Sequence, residues 1–80
     1  MDIKILGTGC PNCQRLEQNT KQALEELKIE AVVEKVTDIQ DIIGYGIMST
    51  PALVVDGNVL LAGMVPSVND IKEKIENYIK

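Results

Sequence analysis

Two cysteines separated by two residues are the side chains of this 80-residue chain best suited to covalent chemistry. Cys10 and Cys13 are its only thiols, and the chain contains no histidine. A short apolar segment precedes the pair and a long amphipathic segment follows it, so the cysteines stand where a strand passes into a helix. Thiols at this spacing can form and break a disulfide with each other, which predicts a dithiol/disulfide switch.

The two cysteines are expected to play different roles. The start of a helix carries unpaired N–H groups and a partial positive charge, and both favour a thiolate over a thiol. Cys10 lies just before the predicted helix, whereas Cys13 lies one turn along it on the apolar face. We therefore expect Cys10 to attack a substrate disulfide and Cys13 to resolve the mixed disulfide. Pro11 suits the first helical position and stiffens the turn, and Asn12 is expected to be exposed, where it can touch a partner.

The hydrophobic pattern predicts an α/β fold in the order βαβ, a short helix, then ββα, with a four-stranded mixed sheet flanked by helices. The first two strands are expected to be parallel, and Asp56-Gly57 predicts a hairpin between the last two. The third strand is a continuous apolar run, which indicates burial on both faces. The strands are expected at residues 3–6, 29–36, 52–55 and 58–62, and the helices at residues 11 to about 28, at 39–44 and from 68 onward.

Helical spacing divides the residues of the long helices into buried and solvated faces. The first helix is expected to bury Cys13, Leu16, Thr20, Ala23, Leu24 and Leu27. Its solvated face is expected to carry Glu17, Gln18, Lys21, Gln22, Glu25, Glu26 and Lys28. The last helix is expected to begin after a Ser67 cap and to bury Val68, Ile71, Ile75, Tyr78 and Ile79.

Composition and charge narrow the class of protein. A hydrophobic fraction of 45% argues against disorder, and the length predicts one domain spanning residues 1–80. Twelve acidic against eight basic side chains give a net charge of −4, which disfavours nucleic acid and anionic membranes as partners. Neither a membrane-spanning run nor a signal-peptide pattern is apparent, so we expect a cytoplasmic protein. In a reducing cytosol, a C-x-x-C is more often catalytic or metal-binding than structural.

A second motif precedes the third strand. Pro51 lacks the N–H that an internal strand donates, and either a cis or a trans Thr50–Pro51 bond fits this position. Cys10-Pro11-Asn12-Cys13, together with the segment from Tyr45 to Pro51, resembles the thioredoxin and glutaredoxin family. The resemblance covers nearly the whole chain, and the small size is similar to that of the compact redox-active disulfide proteins of archaea and bacteria.

This resemblance implies a role for each matched position. Cys10 would be the nucleophile, Cys13 the resolving thiol and Pro51 a cis-proline packed against the disulfide. The Thr50 backbone would hydrogen-bond an extended substrate segment, and Gly63 matches a glycine that thioredoxins carry near the substrate groove. The implied protein is a monomeric thiol–disulfide oxidoreductase that reduces protein disulfides. It would be recharged by a thioredoxin-reductase-type flavoprotein and would bind no cofactor itself.

The chain departs from the thioredoxin pattern near the cysteines. Thioredoxins bury an aspartate in the first strand, which assists proton transfer to the second cysteine; counting back from Cys10 places Lys4 there. We expect Lys4 to be a solvated charge at a strand edge, so the sequence offers no evident base for Cys13. Met48 suits either a substrate groove or a gap in the core.

Two other functions compete with the redox interpretation. A carrier of copper or zinc also places a C-x-x-C before its first helix, and two thiolates suit Cu(I). Such carriers follow the order βαββαβ and end on a strand, whereas this chain is predicted to end on a helix. A binding module that senses redox state without catalysis would share the same motif. The cysteines could also be two small buried side chains without chemistry, but the strand–turn–helix context favours redox chemistry.

Overall fold

The computed structural model describes residues 2–47 and 49–79. Met48 lies outside the described residues, so both expectations for it remain predictions. The element order is β1 (Asp2–Leu6), α1 (Pro11–Leu27), β2 (Val32–Val36), α2 (Ile39–Gly44), β3 (Ala52–Val55), β4 (Asn58–Ala62) and α3 (Val68–Ile79). This is the predicted α/β order, and the four described strands form one sheet in the order β2-β1-β3-β4.

The sheet is mixed, as the sequence predicted. β1 pairs in parallel with β2 and antiparallel with β3, and β3 pairs antiparallel with β4. Every residue of β3 is buried, which confirms the interpretation of its unbroken apolar run. The hairpin turns at Asp56 and Gly57, whose φ angles of +50° and +84° match the twist that two-residue hairpins require.

The second strand is shorter than predicted. We expected it to span residues 29–36, but it begins at Val32 because residues before it complete the end of α1. Lys28 adopts a left-handed conformation, and the N–H of Ile29 donates to the carbonyl of Leu24 at 2.9 Å. This arrangement satisfies carbonyl groups at the helix end, and residues 29–31 therefore form a connection instead of a strand.

Both faces of the sheet are covered by apolar side chains from helices. On one face, residues of α1 and α3 pack with Ile3, Ile5, Leu53 and Val55 in the larger core cluster. On the other face, Ile42 of α2 packs with a smaller cluster that is completed by Leu6, Ala52 and Val54. Adjacent residues of β1 and β3 thus contribute to opposite faces, as the alternation of a strand requires.

The helical faces are close to those predicted, with two exceptions. Ile79 is 54% exposed, because it lies in the last turn of α3 beyond the packed residues Ile71 and Ile75. Glu17 is buried, although the spacing placed it on the solvated face of α1. The Ser67 cap is confirmed, since its hydroxyl accepts a hydrogen bond from the N–H of Asp70 at 3.2 Å.

Candidate active site

Three segments of the chain meet at one end of the sheet. Leu6 at the end of β1 pairs with Ala52 at the start of β3, and Ala52 pairs with Ala62 at the end of β4. The loop that leads to the cysteines, the proline before β3 and the glycine after β4 therefore emerge at the same edge. The topology thus places the predicted site residues together, although they are far apart in sequence.

Cys10 is the N-cap of α1. Its backbone is extended (φ −68°, ψ 162°), its carbonyl accepts the first helical hydrogen bond from Gln14, and Pro11 follows at the first helical position. The Sγ of Cys10 accepts a hydrogen bond from the N–H of Cys13 at 3.2 Å. The sulfur therefore occupies the place where serine or aspartate caps other helices, and the helix terminus favours negative charge on it.

Cys13 lies one turn further along α1 and is only 5% exposed. Its Sγ is bonded to that of Cys10, and the two Cα atoms are 5.1 Å apart, within the ordinary range for a disulfide. Cys10 is half-buried, whereas Pro11 and Asn12 are exposed. The pair therefore combines one partly exposed cysteine with one buried cysteine.

The second predicted half of the site has the expected backbone form. The Thr50–Pro51 peptide bond is cis, Pro51 is buried and Thr50 is exposed. The carbonyl of Pro51 accepts a hydrogen bond from the N–H of Gly63 at 2.8 Å. Gly63 has a φ of +76°, and a Cβ added there would lie 2.9 Å from the Cβ of Ser49. Only glycine meets both the conformational and the spatial requirement at this position.

A small cavity lies behind Cys13, with a volume of about 60 Å³. Sequence reasoning missed most of the residues around it, since they come from β1, α1, β2 and the loops beside them. The cavity is lined by Ile5, Gly7, Gly9, Cys13, Gln14, Glu17, Lys35 and Thr37. Gly7 is close enough to the cysteine that an added Cβ would collide with the Cys13 Sγ.

Lys4 is not at this site. We expected a solvated charge at a strand edge, but β1 is an interior strand and Lys4 is half-buried on it. Its neighbours Ile3 and Ile5 pack on the α1 side of the sheet, so Lys4 points to the opposite side from Cys13. There its interaction with the Tyr45 side chain, assisted by the charge of Asp2, raises the pKa of the Lys4 ammonium.

Residues 2–47 and 49–79 contain no group of three or more histidine, cysteine, aspartate or glutamate side chains placed to hold one metal ion. The order of the described elements, with α2 between β2 and the β3–β4 hairpin, also differs from the βαββαβ order of the metal carriers considered above. In the same described ranges, the helices are too short or too polar to cross a membrane.

Comparison with known proteins agrees with this geometry. A family model for the thioredoxin domain matches residues 1–76. The chain belongs to the thioredoxin family. It is 41% identical over 78 residues to a thioredoxin of Methanocaldococcus jannaschii, a match that covers 98% of this chain and 90% of that protein. It is also 44% identical over 73 residues to a thioredoxin of Methanothermobacter thermautotrophicus, covering 91% of this chain and 95% of that protein.

Membership of the thioredoxin family and the bonded cysteine pair together establish the general activity of this protein. Its two sulfurs alternate between a disulfide and a dithiol, and it is a thiol–disulfide oxidoreductase. The metal-carrier interpretation is not favoured by either the fold or the comparisons.

Proposed function

We propose that this protein reduces protein disulfides, with Cys10 as the attacking sulfur and Cys13 as the resolving one. The observation that carries the proposal is the asymmetry of the pair at the start of α1. The Cys10 Sγ caps the helix and accepts the Cys13 N–H, while Cys13 is buried one turn below. In the reduced protein, the same N–H can stabilise a Cys10 thiolate, and the thiolate is the reactive form.

The exchange takes place in two steps. The Cys10 thiolate attacks one sulfur of the substrate disulfide, which forms a mixed disulfide and releases the other substrate sulfur as a thiolate. The Cys13 sulfur, after losing its proton, attacks the Sγ of Cys10. The bond between Cys10 and the substrate breaks, the second substrate sulfur leaves as a thiolate that takes up a proton, and Cys10 and Cys13 end as the disulfide seen in the structure.

Substrate recognition is assigned to the exposed surface around Cys10. An extended substrate segment would pair with the backbone at Thr50, which is exposed and directly precedes β3. Pro51 and Gly63, joined by their backbone hydrogen bond, would form the floor of this groove. Pro11 and Asn12, both exposed beside Cys10, would contact the substrate on the other side.

A donor must return the disulfide to a dithiol after each turnover. We assign this role to a flavoprotein of the thioredoxin-reductase type, acting on a monomer in the cytoplasm. Family membership supports such a donor, and the accessible Cys10 sulfur is the one that the donor would reach. The net charge of −4 and the absence of a membrane-crossing helix among the described residues are consistent with this setting.

Insulin reduction with Cys10→Ser and Cys13→Ser variants tests the proposal. With dithiothreitol or a thioredoxin reductase as donor, the unaltered protein should accelerate insulin reduction, and both variants should lose turnover. Cys13→Ser should accumulate a mixed disulfide with the substrate, visible by mass spectrometry, whereas Cys10→Ser should not. Turnover retained by Cys10→Ser, or trapping by that variant instead, would refute the assigned roles.

A further inference from the structure

Glu17 is buried in a place where the sequence predicted a solvated charge. It is 9% exposed and lies on α1, about one turn after Cys13. Its two carboxylate oxygens face Lys21 of the same helix at 3.4 Å and Lys35 of β2 at 3.3 Å. Residues four apart on a helix are neighbours on one face, so Glu17 lies beside the resolving cysteine.

Stability alone does not account for a carboxylate at this position. Taking a charge out of water is costly unless a well-placed partner compensates it. Both lysine partners are largely exposed, with side-chain exposures of 59% and 61%, so water screens their attraction for Glu17. A role at the neighbouring cysteine would explain why a charged group is kept here.

The cavity connects Glu17 to Cys13. Both residues line it, and its volume of about 60 Å³ exceeds the roughly 10–15 Å³ that one water molecule requires. Of the described residues around the cavity, Glu17 carries the carboxylate and Lys35 the cation; Gln14 and Thr37 are polar but uncharged. The cavity therefore has room for one water molecule to relay a proton between the Cys13 sulfur and the Glu17 carboxylate.

We propose that Glu17 is the proton acceptor for Cys13 in the resolving step, an assignment that rests on the proposed function above. The Cys13 S–H proton moves to the Glu17 carboxylate as the sulfur attacks the Sγ of Cys10. The electron pair of the S–H bond becomes the new Cys10–Cys13 bond, and the electron pair of the mixed disulfide leaves with the substrate sulfur. Glu17 then gives the proton to water, which restores the carboxylate paired with Lys21 and Lys35 in the disulfide form. When a donor reduces the disulfide, the departing Cys13 thiolate takes up a proton through Glu17.

Lys21 and Lys35 act on Cys13 through Glu17. Their ion pairs with its two oxygens, at 3.4 Å and 3.3 Å, hold the carboxylate at the cavity wall. Lys35 also lines the cavity itself, and it is the one of the two that comes from a different element. We regard Lys35 as a positioning residue, whose loss should weaken the resolving step less than loss of Glu17.

A stopped-flow experiment with DTNB separates the two steps. The reduced protein releases one coloured thiolate when Cys10 forms the mixed disulfide and a second when Cys13 displaces it. In Glu17→Gln, the first release should stay within about twofold of the unaltered protein, and the second should slow by about 10²-fold, a typical contribution of a general base. Glu25→Gln, an exposed carboxylate two turns further along α1, is the matched control and should change neither phase.

The pH profile distinguishes proton transfer from a structural role. Without Glu17, Cys13 depends on proton loss to solvent, so the second phase of Glu17→Gln should rise by about tenfold per pH unit near neutrality. The second phase of the unaltered protein should depend less on pH, and Glu17→Asp should retain this shallower profile. A second phase in Glu17→Gln with the original rate or profile, or equal slowing of both phases, would overturn the assignment of Glu17. If the unaltered protein shows no second release, the proposed function fails instead.

Discussion

The Sγ of Cys13 on α1 lies against the backbone of Gly7, the residue that follows β1. Gly7 is buried there, its N–H donates to the carbonyl of Val36 at 2.9 Å, and its missing side chain leaves room for the Cys13 Sγ. The φ angle of Gly7 does not lie in the left-handed region, whereas those of Gly9 and Gly63 are positive. Glycine is therefore required at position 7 for space, and the group that requires the space is the Cys13 sulfur.

Gly7→Ala should destabilise the disulfide relative to the dithiol. The new Cβ occupies the position of the bonded Cys13 Sγ, whereas a free thiol can rotate away; overpacking of this kind costs about 1–3 kcal/mol. In glutathione buffers with a fixed concentration of oxidised glutathione, the variant should be half-reduced at a reduced-glutathione concentration about fivefold lower than the unaltered protein needs, because two glutathione molecules reduce one disulfide. Gly44→Ala is the control, because a Cβ there meets nothing within 4 Å. An oxidised fraction equal to that of the unaltered protein would show that the sulfur is not confined by Gly7.

Thr20 carries a buried hydroxyl for which the described residues supply no hydrogen-bond partner. The residue is 0% exposed on the core-facing side of α1. Replacing Thr20 by Val keeps the shape and removes the unsatisfied group, so Thr20→Val should raise the free energy of unfolding by about 1 kcal/mol. Urea denaturation measures this change. A loss of stability would mean that the hydroxyl has a partner, such as a bound water.

At the scale of elements, the hydrophobic period and the turn residues predicted the order of strands and helices. Three structural details could not be predicted from these patterns. Glu17 stands at the border of the apolar stripe of α1, and its burial depends on β2 across the cavity, which helical spacing cannot report. Leu60 is an extra residue in β4, since Leu53 pairs with Leu61 but Val54 pairs with Val59. The start of β2 was predicted too early because Ile29 and Ala31 are apolar, but they pack against the core in the connection that follows α1.

For the candidate site too, the sequence predicted the residues that belong to motifs but not those that packing brings to it. Cys10 and Cys13 were predicted as site residues from their spacing and their place before a helix, and Pro51 and Gly63 from the family resemblance. Gly7 and Lys35 belong to no recognisable motif. They line the site because the ends of β1 and β2 lie beside the start of α1. Contacts of this kind depend on how the elements pack, so a local sequence pattern does not reveal them.

The hairpin turn is tied to α3 and β1 by a carboxylate. Asp56 accepts hydrogen bonds from the N–H of Asp2 at 2.8 Å and from the hydroxyl of Tyr78 at 3.2 Å. The bond from Asp2, with a smaller contribution from Tyr78, holds the pKa of Asp56 below its ordinary value. The folded state therefore binds a proton at this group less readily than the unfolded chain does.

The hydrogen bonds accepted by Asp56 should make the stability of the protein sensitive to acid. Their contribution to the free energy of unfolding is fully present above the ordinary aspartate pKa and is lost as the pH falls through the lowered folded-state pKa. Asp56→Asn should therefore lose stability at neutral pH, and the difference from the unaltered protein should shrink in strong acid. Tyr78→Phe should show a smaller version of the same effect. Thermal unfolding at pH 7 and at successively lower pH tests this; parallel curves for the unaltered protein and Asp56→Asn would contradict it.

For the whole molecule, one face of the sheet carries most of the apolar packing. Among residues 2–47 and 49–79, the cluster between the sheet, α1 and α3 includes ten buried side chains, against four on the α2 face. The site lies at the end of this same layer, because α1 supplies both Cys13 and core residues such as Leu16. Loss of packing far from the cysteines should therefore reach the site through global unfolding and not through a local change in reactivity.

Two isoleucines one turn apart on α3 test this view. Ile75 is 0% exposed in the larger cluster, whereas Ile79 is 54% exposed. Ile75→Ala should lower the free energy of unfolding by about 2–5 kcal/mol, because it removes buried methyl groups and leaves a cavity. For a small domain, whose total stability is about 5–15 kcal/mol, this is a large fraction. Ile79→Ala should change it by less than about 0.5 kcal/mol.

Urea denaturation of both variants, read by circular dichroism and by the reactivity of Cys13 in the reduced protein, provides the measurement. Since α1 joins the site to the core, the two probes should give one transition for Ile75→Ala, at a lower urea concentration than for the unaltered protein. In the absence of urea, the DTNB reaction of Ile75→Ala should retain its two phases. Cys13 exposed well before the helices unfold would show that the redox site can open independently of the α1–α3 layer.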